Sequence, residues 1–203
     1  MIVTLIDYGA GNVPSVERAL HRLGAQTCRA TTAECIARAE ALILPGVGHY
    51  GALIRALDER QMRASLLQAI GQGVPFLGVC LGLQALFERS EEAPELTGLS
   101  VLPGRVAALP AEVKLPHMGW NQLHLKQNSR LLQDIPADAY FYFAHSYAGF
   151  AVDAAGSCVA TCTHGAEFAA VIEHQSLYAV QFHPEKSGAA GAQLLQNFLR
   201  LAA

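Results

Sequence analysis

The residues of this chain whose types and spacing could do chemistry are a cysteine, a histidine and a carboxylate. Cys80 stands between Gly78 and Gly82 at the end of the apolar run Phe76-Leu77-Gly78-Val79, and His183-Pro184-Glu185 places an imidazole two residues from a carboxylate. Gly-x-Cys-x-Gly is the pattern of a nucleophile elbow. A buried strand turns sharply into a helix, and glycines on either side let the chains approach where a Cβ would collide. The first N–H groups of the following helix would point at the sulfur, favouring a thiolate and offering donors to an oxyanion. Alone, the motif also fits a buried apolar cysteine beside packing glycines. The histidine and glutamate narrow that choice. Proline fixes its own backbone and holds His183 extended, so His183 and Glu185 project in related directions. A thiol needs a base, and the base needs a carboxylate to set its tautomer and stabilise its cation. Cys80 would attack a carbonyl carbon, His183 would hand the thiol proton to a leaving amine, and water would hydrolyse the acyl-enzyme.

Such a constellation needs strand ends to carry it. Residues 2–6 read as a buried strand, 7–12 as a turn and 14–23 as a helix, with Val13, Val16, Leu20 and Leu23 facing a sheet. A second strand ends near residues 28–30. Gly9-x-Gly11 lacks the third glycine and the distal acid of a dinucleotide loop, so that reading is rejected. Residues 41–44 form a short apolar strand ending in Pro45-Gly46-Val47-Gly48, a glycine loop at the strand end where open α/β sheets bind ligands. A backbone N–H from this loop, together with that of Leu81, would hold the oxyanion. Helices are expected at 50–57, 61–70, 81–87 and 188–199, irregular chain at 90–116 with short strand pieces such as Arg105-Val106-Ala107, and strands at 121–125, 140–143, 158–163, 168–173 and 177–182. The expected fold is α/β: an open, largely parallel central sheet flanked by helices, with added antiparallel strands. One domain over residues 1–203 is expected.

Charged residues make up 15% of the chain and the net charge is −3, without a basic run, so neither nucleic acid nor an anionic membrane is an expected partner. The N-terminal apolar run lacks a basic flank and is too short for a signal peptide or a membrane span, which predicts a cytoplasmic protein. The five cysteines form no C-x-x-C pair. Cys158, Cys162 and His164 lie at even spacing and read as one packed strand face rather than a metal site, so no metal is expected.

Gly78-Val-Cys80-Leu-Gly82-Leu-Gln84 with His183-Pro-Glu185-Lys-Ser187 resembles the class I, triad-type glutamine amidotransferases. Pro45-Gly-Val-Gly48, Pro116-His-Met-Gly-Trp-Asn121 and Tyr142-Phe-Ala-His-Ser-Tyr147 resemble one branch of that family, the glutaminase subunits of imidazole glycerol phosphate synthases, and the likeness runs over nearly the whole chain. The resemblance implies a flavodoxin-like fold, no cofactor, and hydrolysis of glutamine to glutamate and ammonia, which passes to a (β/α)8 cyclase subunit in a heterodimer of histidine biosynthesis. It implies Cys80, His183 and Glu185 as catalytic, Val47, Gly48 and Leu81 as the oxyanion side, and Gly46, Gln84, Ser146 and Tyr147 as substrate contacts. It also implies Asn12, Pro116, His117, Met118, Gly119, Trp120 and His174 at the partner interface. His49, Ala144 and His174 depart from the branch's usual residues, and His174 suggests a pH-sensitive interface. The rival readings are a glutaminase serving another acceptor, a peptidase-like cysteine protein, and an inactive binding subunit.

Overall fold

The structure, a computed structural model, describes residues 1–150 and 157–203. The first half alternates strands and helices: β1 (Ile2–Ile6), α1 (Val13–Arg22), β2 (Gln26–Ala30), α2 (Ala33–Ala37), β3 (Ala41–Gly46), α3 (Tyr50–Glu59), α4 (Met62–Gly71), β4 (Phe76–Cys80) and α5 (Leu81–Gln84). Strands then dominate: β5 (Phe87–Ser90), β6 (Leu102–Ala108), β7 (His117–Gln122), β8 (His124–Leu125), β9 (Tyr140–His145), β10 (Tyr147–Phe150), β11 (Cys158–His164), β12 (Ala166–His174) and β13 (Leu177–Val180). A 3-10 turn at Pro184–Lys186 leads into α6 (Gly188–Leu201).

The central sheet runs β2-β1-β3-β4-β13-β12-β11-β8. Pairing is parallel from β2 through β13 and antiparallel from there to β8. The inner parallel strands β1, β3, β4 and β13 are buried on both faces, so alternation of side chains replaces alternation of polarity, whereas β2 at the edge is largely exposed. Leu42 and Leu44 of β3 pack on the face covered by α3 and α4, while Ile43 packs on the opposite face with Val16 and Leu20 of α1 and Leu194, Leu195 and Phe198 of α6.

This strand order brings distant residues together. Because β4 and β13 are neighbours with Val79 opposite Val180, Gln181 follows beside Cys80, and His183 lies just beyond the strand end. Gly46 pairs with Cys80 from the other side. The loops leaving β1, β3, β4 and β13 therefore open at one edge of the sheet, where ligands bind in open α/β folds.

Two local expectations are corrected and one is extended. The elbow helix ends at Gln84 instead of reaching residue 87, because Phe87–Ser90 pairs in parallel with β6. Within residues 90–116 the expected strand piece at Arg105-Val106-Ala107 is found and is longer: it is part of β6, the middle strand of a sheet ordered β10-β6-β5. Cys158, Cys162 and His164 do not share a packed face. A register irregularity in β11 near Cys158 and Ala160 breaks the even spacing, so Cys158 packs with the α3–α4 side and Cys162 with the α1–α6 side. His164 is half-buried and stacks on His117, ring centroids 4.2 Å apart.

Candidate active site

Cys80 closes β4 with φ 54° and ψ −106°, a left-handed conformation that costs a non-glycine residue strain. The turn is made possible by its neighbours. A Cβ on Gly82 would lie 1.9 Å from Leu44 O, one on Gly78 2.8 Å from Gly82 O, and one on Gly46 2.6 Å from Leu81 Cβ. The elbow thus presses directly onto β3. Cys80 is buried, and its sulfur accepts a hydrogen bond from Gln181 Nε2 at 3.6 Å.

His183 is also buried, its N–H donating to Tyr142 O at 2.9 Å and its carbonyl accepting from Ser187 Oγ at 2.6 Å. Its Nδ1 donates to Glu185 Oε1 at 2.9 Å, and Asn12 Nδ2 donates to the same oxygen at 3.2 Å. Glu185 Oε2 is buried without a hydrogen-bond partner. That carboxylate therefore depends on the imidazolium for compensation. Nε2 is the ring nitrogen left for Cys80. Burial alone would depress His183; hydrogen bonding to Cys80 and to Glu185, and the negative charge each carries when ionised, outweigh it and raise the imidazole to about 10. The site therefore favours an imidazolium at neutral pH.

These groups open into a cavity of about 340 Å³ lined by Val47, Gly48, Cys80, Leu81, Gln84, Glu92, Pro116, Ala144, His145, Ser146, Tyr147, His183 and Lys186. The expected nucleophile, base, oxyanion-side and most substrate-side residues converge on it. Gly46 stands behind the lining, under the elbow. Gln84 is buried and spends its amide nitrogen on Tyr147 O at 2.7 Å and Gln181 Oε1 at 3.1 Å. His49 turns away and caps α3, its Nδ1 accepting from Gly51 N at 3.0 Å.

The expected interface residues divide. Pro116 lines the cavity, and β7 projects Met118 and Trp120 outward at 65% and 54% exposure, with half-buried Gly119 between them. His117 points inward and is buried. Asn12, expected at the interface, donates to Glu185. His174 ends β12 opposite Leu177, the first residue of β13, whereas His183 follows the last; His174 lies at the other end of the sheet and is not brought together with the rest.

Sequence reasoning gave no role to Glu92, His145 or Gln181. Nothing in Ser90-Glu91-Glu92 marks its second glutamate off from a surface carboxylate; the fold turns it to the cavity, where its Oε2 accepts from Tyr50 N at 2.6 Å. Gln181 adjoins the His-Pro-Glu run, and its role depends on β13 lying beside β4. Among the described residues no cluster of three or more His, Cys, Asp or Glu is placed to hold a metal ion, and no helix is long and apolar enough to cross a membrane.

The family described as glutamine amidotransferase class-I matches residues 4–202, and the chain belongs to that family. Among solved structures, a glutamine amidotransferase superposes with a TM-score of 0.79 at 20% identity, covering 100% of this chain and 99% of that one. PurLQS from Thermotoga maritima gives 0.78 at 18% identity, over 98% and 97%; at such identities these show the fold. Within the family the chain falls among the HisH subunits of imidazole glycerol phosphate synthase. It is 44% identical to that of Methanothermobacter thermautotrophicus over 98% of both chains. It is 46% identical to that of Rhodopirellula baltica over 97% of this chain and 96% of the relative, and 44% identical to that of Salinibacter ruber over 98% and 94%.

Proposed function

We propose that this chain is a single glutamine amidotransferase domain acting in the cytoplasm. It hydrolyses glutamine at Cys80 and delivers the ammonia to a cyclase subunit that makes imidazole glycerol phosphate and aminoimidazole-carboxamide ribotide. The observation that carries the chemistry is the Glu185–His183 pair, 2.9 Å apart, beside a thiol on a strained elbow and facing a cavity large enough for one amino acid.

The cysteine sulfur, its proton held by His183, attacks the side-chain carbonyl carbon of glutamine. The oxyanion is taken by the N–H of Leu81 and an N–H of the Val47-Gly48 turn. His183 then protonates the nitrogen, the C–N bond breaks and ammonia leaves. Water, deprotonated by the now neutral His183, attacks the thioester; the C–S bond breaks to give glutamate and the thiol. Glu185 holds the ring in one tautomer and stabilises the cation on both sides of the reaction. Gln84 and the Ser146–Tyr147 backbone receive the amino-acid end of glutamine, and the Glu92 carboxylate fits its ammonium group.

Ammonia released into water is protonated and lost as a nucleophile, so an acceptor site must be docked nearby. Met118 and Trp120, exposed on β7 with Pro116 at the cavity and Trp120 edge-on to Tyr142, supply an apolar surface for the cyclase. Gly119 and the buried His117 underlie that surface, and Asn12 acts from the Glu185 side. His174, at the other end of the sheet from His183, lies outside this surface. Release of glutamate from glutamine, abolished in Cys80→Ala, tests the chemistry. Turnover that survives this substitution would overturn it.

A further inference from the structure

We propose that Gln181 is a further catalytic residue, donating a hydrogen bond from its side-chain amide to the Cys80 thiolate, and that Gln84, anchored on the Tyr147 carbonyl, keeps that amide aimed. The proposal deepens the glutaminase reading and rests on it. Gln181 is fully buried at the end of β13, and its Nε2 lies 3.6 Å from Cys80 Sγ. A buried glutamine on a nucleophile presents either a donor or an acceptor, and the two have opposite effects: a donor stabilises the thiolate, an acceptor opposes it.

The surrounding groups fix which it is. Tyr147 O can accept and cannot donate, so the end of Gln84 that meets it at 2.7 Å must be the NH₂. The same NH₂ meets Gln181 at 3.1 Å, so Gln181 must turn its oxygen there and its own NH₂ toward the sulfur. Reversing either amide would set two donors, or two acceptors, face to face.

Tyr147 O is itself held by His145 Nδ1 at 2.8 Å. The ring therefore carries its proton on Nδ1, and Nε2 accepts from His117 Nδ1 at 3.2 Å. His117 Nε2 in turn accepts from Asn121 Nδ2 at 3.3 Å, while the same nitrogen donates to Thr163 O at 3.1 Å. Both ends of the chain dictate the same two tautomers. Burial keeps both rings neutral, so the series Asn121, His117, His145 donates one way from the strand bearing Met118 and Trp120 to Tyr147 O, and Gln84 donates to the same carbonyl from the other side and to Gln181, whose amide faces Cys80.

The remaining ionisable groups that face Cys80 are His183, backed by Glu185 on the turn after β13, and Tyr8 from the loop after β1; Glu92 and Lys186 share its cavity. The variants leave these in place. The test is the rate of iodoacetamide alkylation of Cys80 in the full chain from pH 5 to 10, followed on the Cys80 peptide by mass spectrometry, with thermal melts alongside. Alkylation reads thiolate independently of glutamine turnover, so the result stands whether or not the chain is a glutaminase.

In Gln181→Met the alkylation midpoint is expected to rise by about one pH unit, the effect of losing one hydrogen bond to a charged group. Gln181→Glu, which puts an acceptor and a charge on the sulfur, is expected to raise it further. Gln84→Met, which leaves Gln181 free to turn, is expected to give a smaller rise in the same direction and serves if the Gln181 variants do not fold. Folded variants with the wild-type midpoint would overturn the proposal.

Discussion

The reacting side chains owe their states to individual contacts that linear spacing does not contain. His183 and Glu185 are two residues apart, and their 2.9 Å hydrogen bond was foreshadowed by the intervening proline. Asn12, 173 positions from Glu185, was not: its resemblance-based place was the interface, yet its amide donates to Glu185 Oε1 at 3.2 Å. Glu185 Oε2 has no hydrogen-bond partner, so the Asn12 bond supports a carboxylate that has few others. Asn12→Ala is expected to lower kcat of the complete synthase about tenfold with KM for glutamine unchanged, as expected for a lost hydrogen bond to a charged group. Measurement at saturating partner separates the two roles. Unchanged kcat with weaker partner affinity would return Asn12 to the interface.

At the scale of elements, the site depends on β4 turning into α5 against β3. Cys80 holds φ 54° because Gly82 and Gly78 have no Cβ to meet Leu44 O and Gly82 O. Replacing the strained residue by glycine removes the collision of its own Cβ, so Cys80→Gly is expected to be more stable than Cys80→Ala by about 1 kcal/mol in urea unfolding. Equal stability, or a less stable glycine variant, would contradict a strained elbow. The elbow was readable because its glycine spacing is set by local sterics. So were the inner parallel strands, whose apolar runs reflect burial on both faces. In chain 90–116 only the Arg105–Ala107 piece of β6 was readable, because prolines obscured the rest and its partner β10 lies some forty residues on. The register irregularity in β11 was also hidden: even spacing put Cys158 and Cys162 on one face, and the register shifts on either side of Ala160 separate them. Cys162 is held in an apolar setting that pushes its thiol up to about 12, consistent with a packing role.

The whole molecule couples its stability to pH through buried imidazoles. His117 and His145 titrate near 6.5 when unfolded; burial holds them down to about 4 and about 3 in the fold, helped by His164 for His117, and for His145 by its histidine neighbours against the pull of Tyr147 O. Below about pH 6.5 the unfolded chain binds protons that the folded chain refuses. Stability therefore falls as pH drops from 6.5 toward 4, by up to ~1.4 kcal/mol per pH unit for each histidine, and their contribution is fully present above 6.5. His183 has the opposite sign: raised to about 10, its contribution is full below 6.5 and lost as pH rises through 10. Urea unfolding across pH 4.5–7 should show a steep acid limb that flattens in His145→Leu, and an unaltered limb would contradict this assignment. Function joins the same scales, because the cavity, the polar chain behind it and the apolar face of β7 lie at one edge of the sheet. The most direct measurement is glutamate release from glutamine by this chain alone, then with a cyclase subunit and its ribotide substrate, each beside Cys80→Ala. Strong stimulation by cyclase and ribotide, absent in Cys80→Ala, is the predicted result. Cys80-dependent hydrolysis indifferent to the cyclase, or no hydrolysis under any condition, would contradict it.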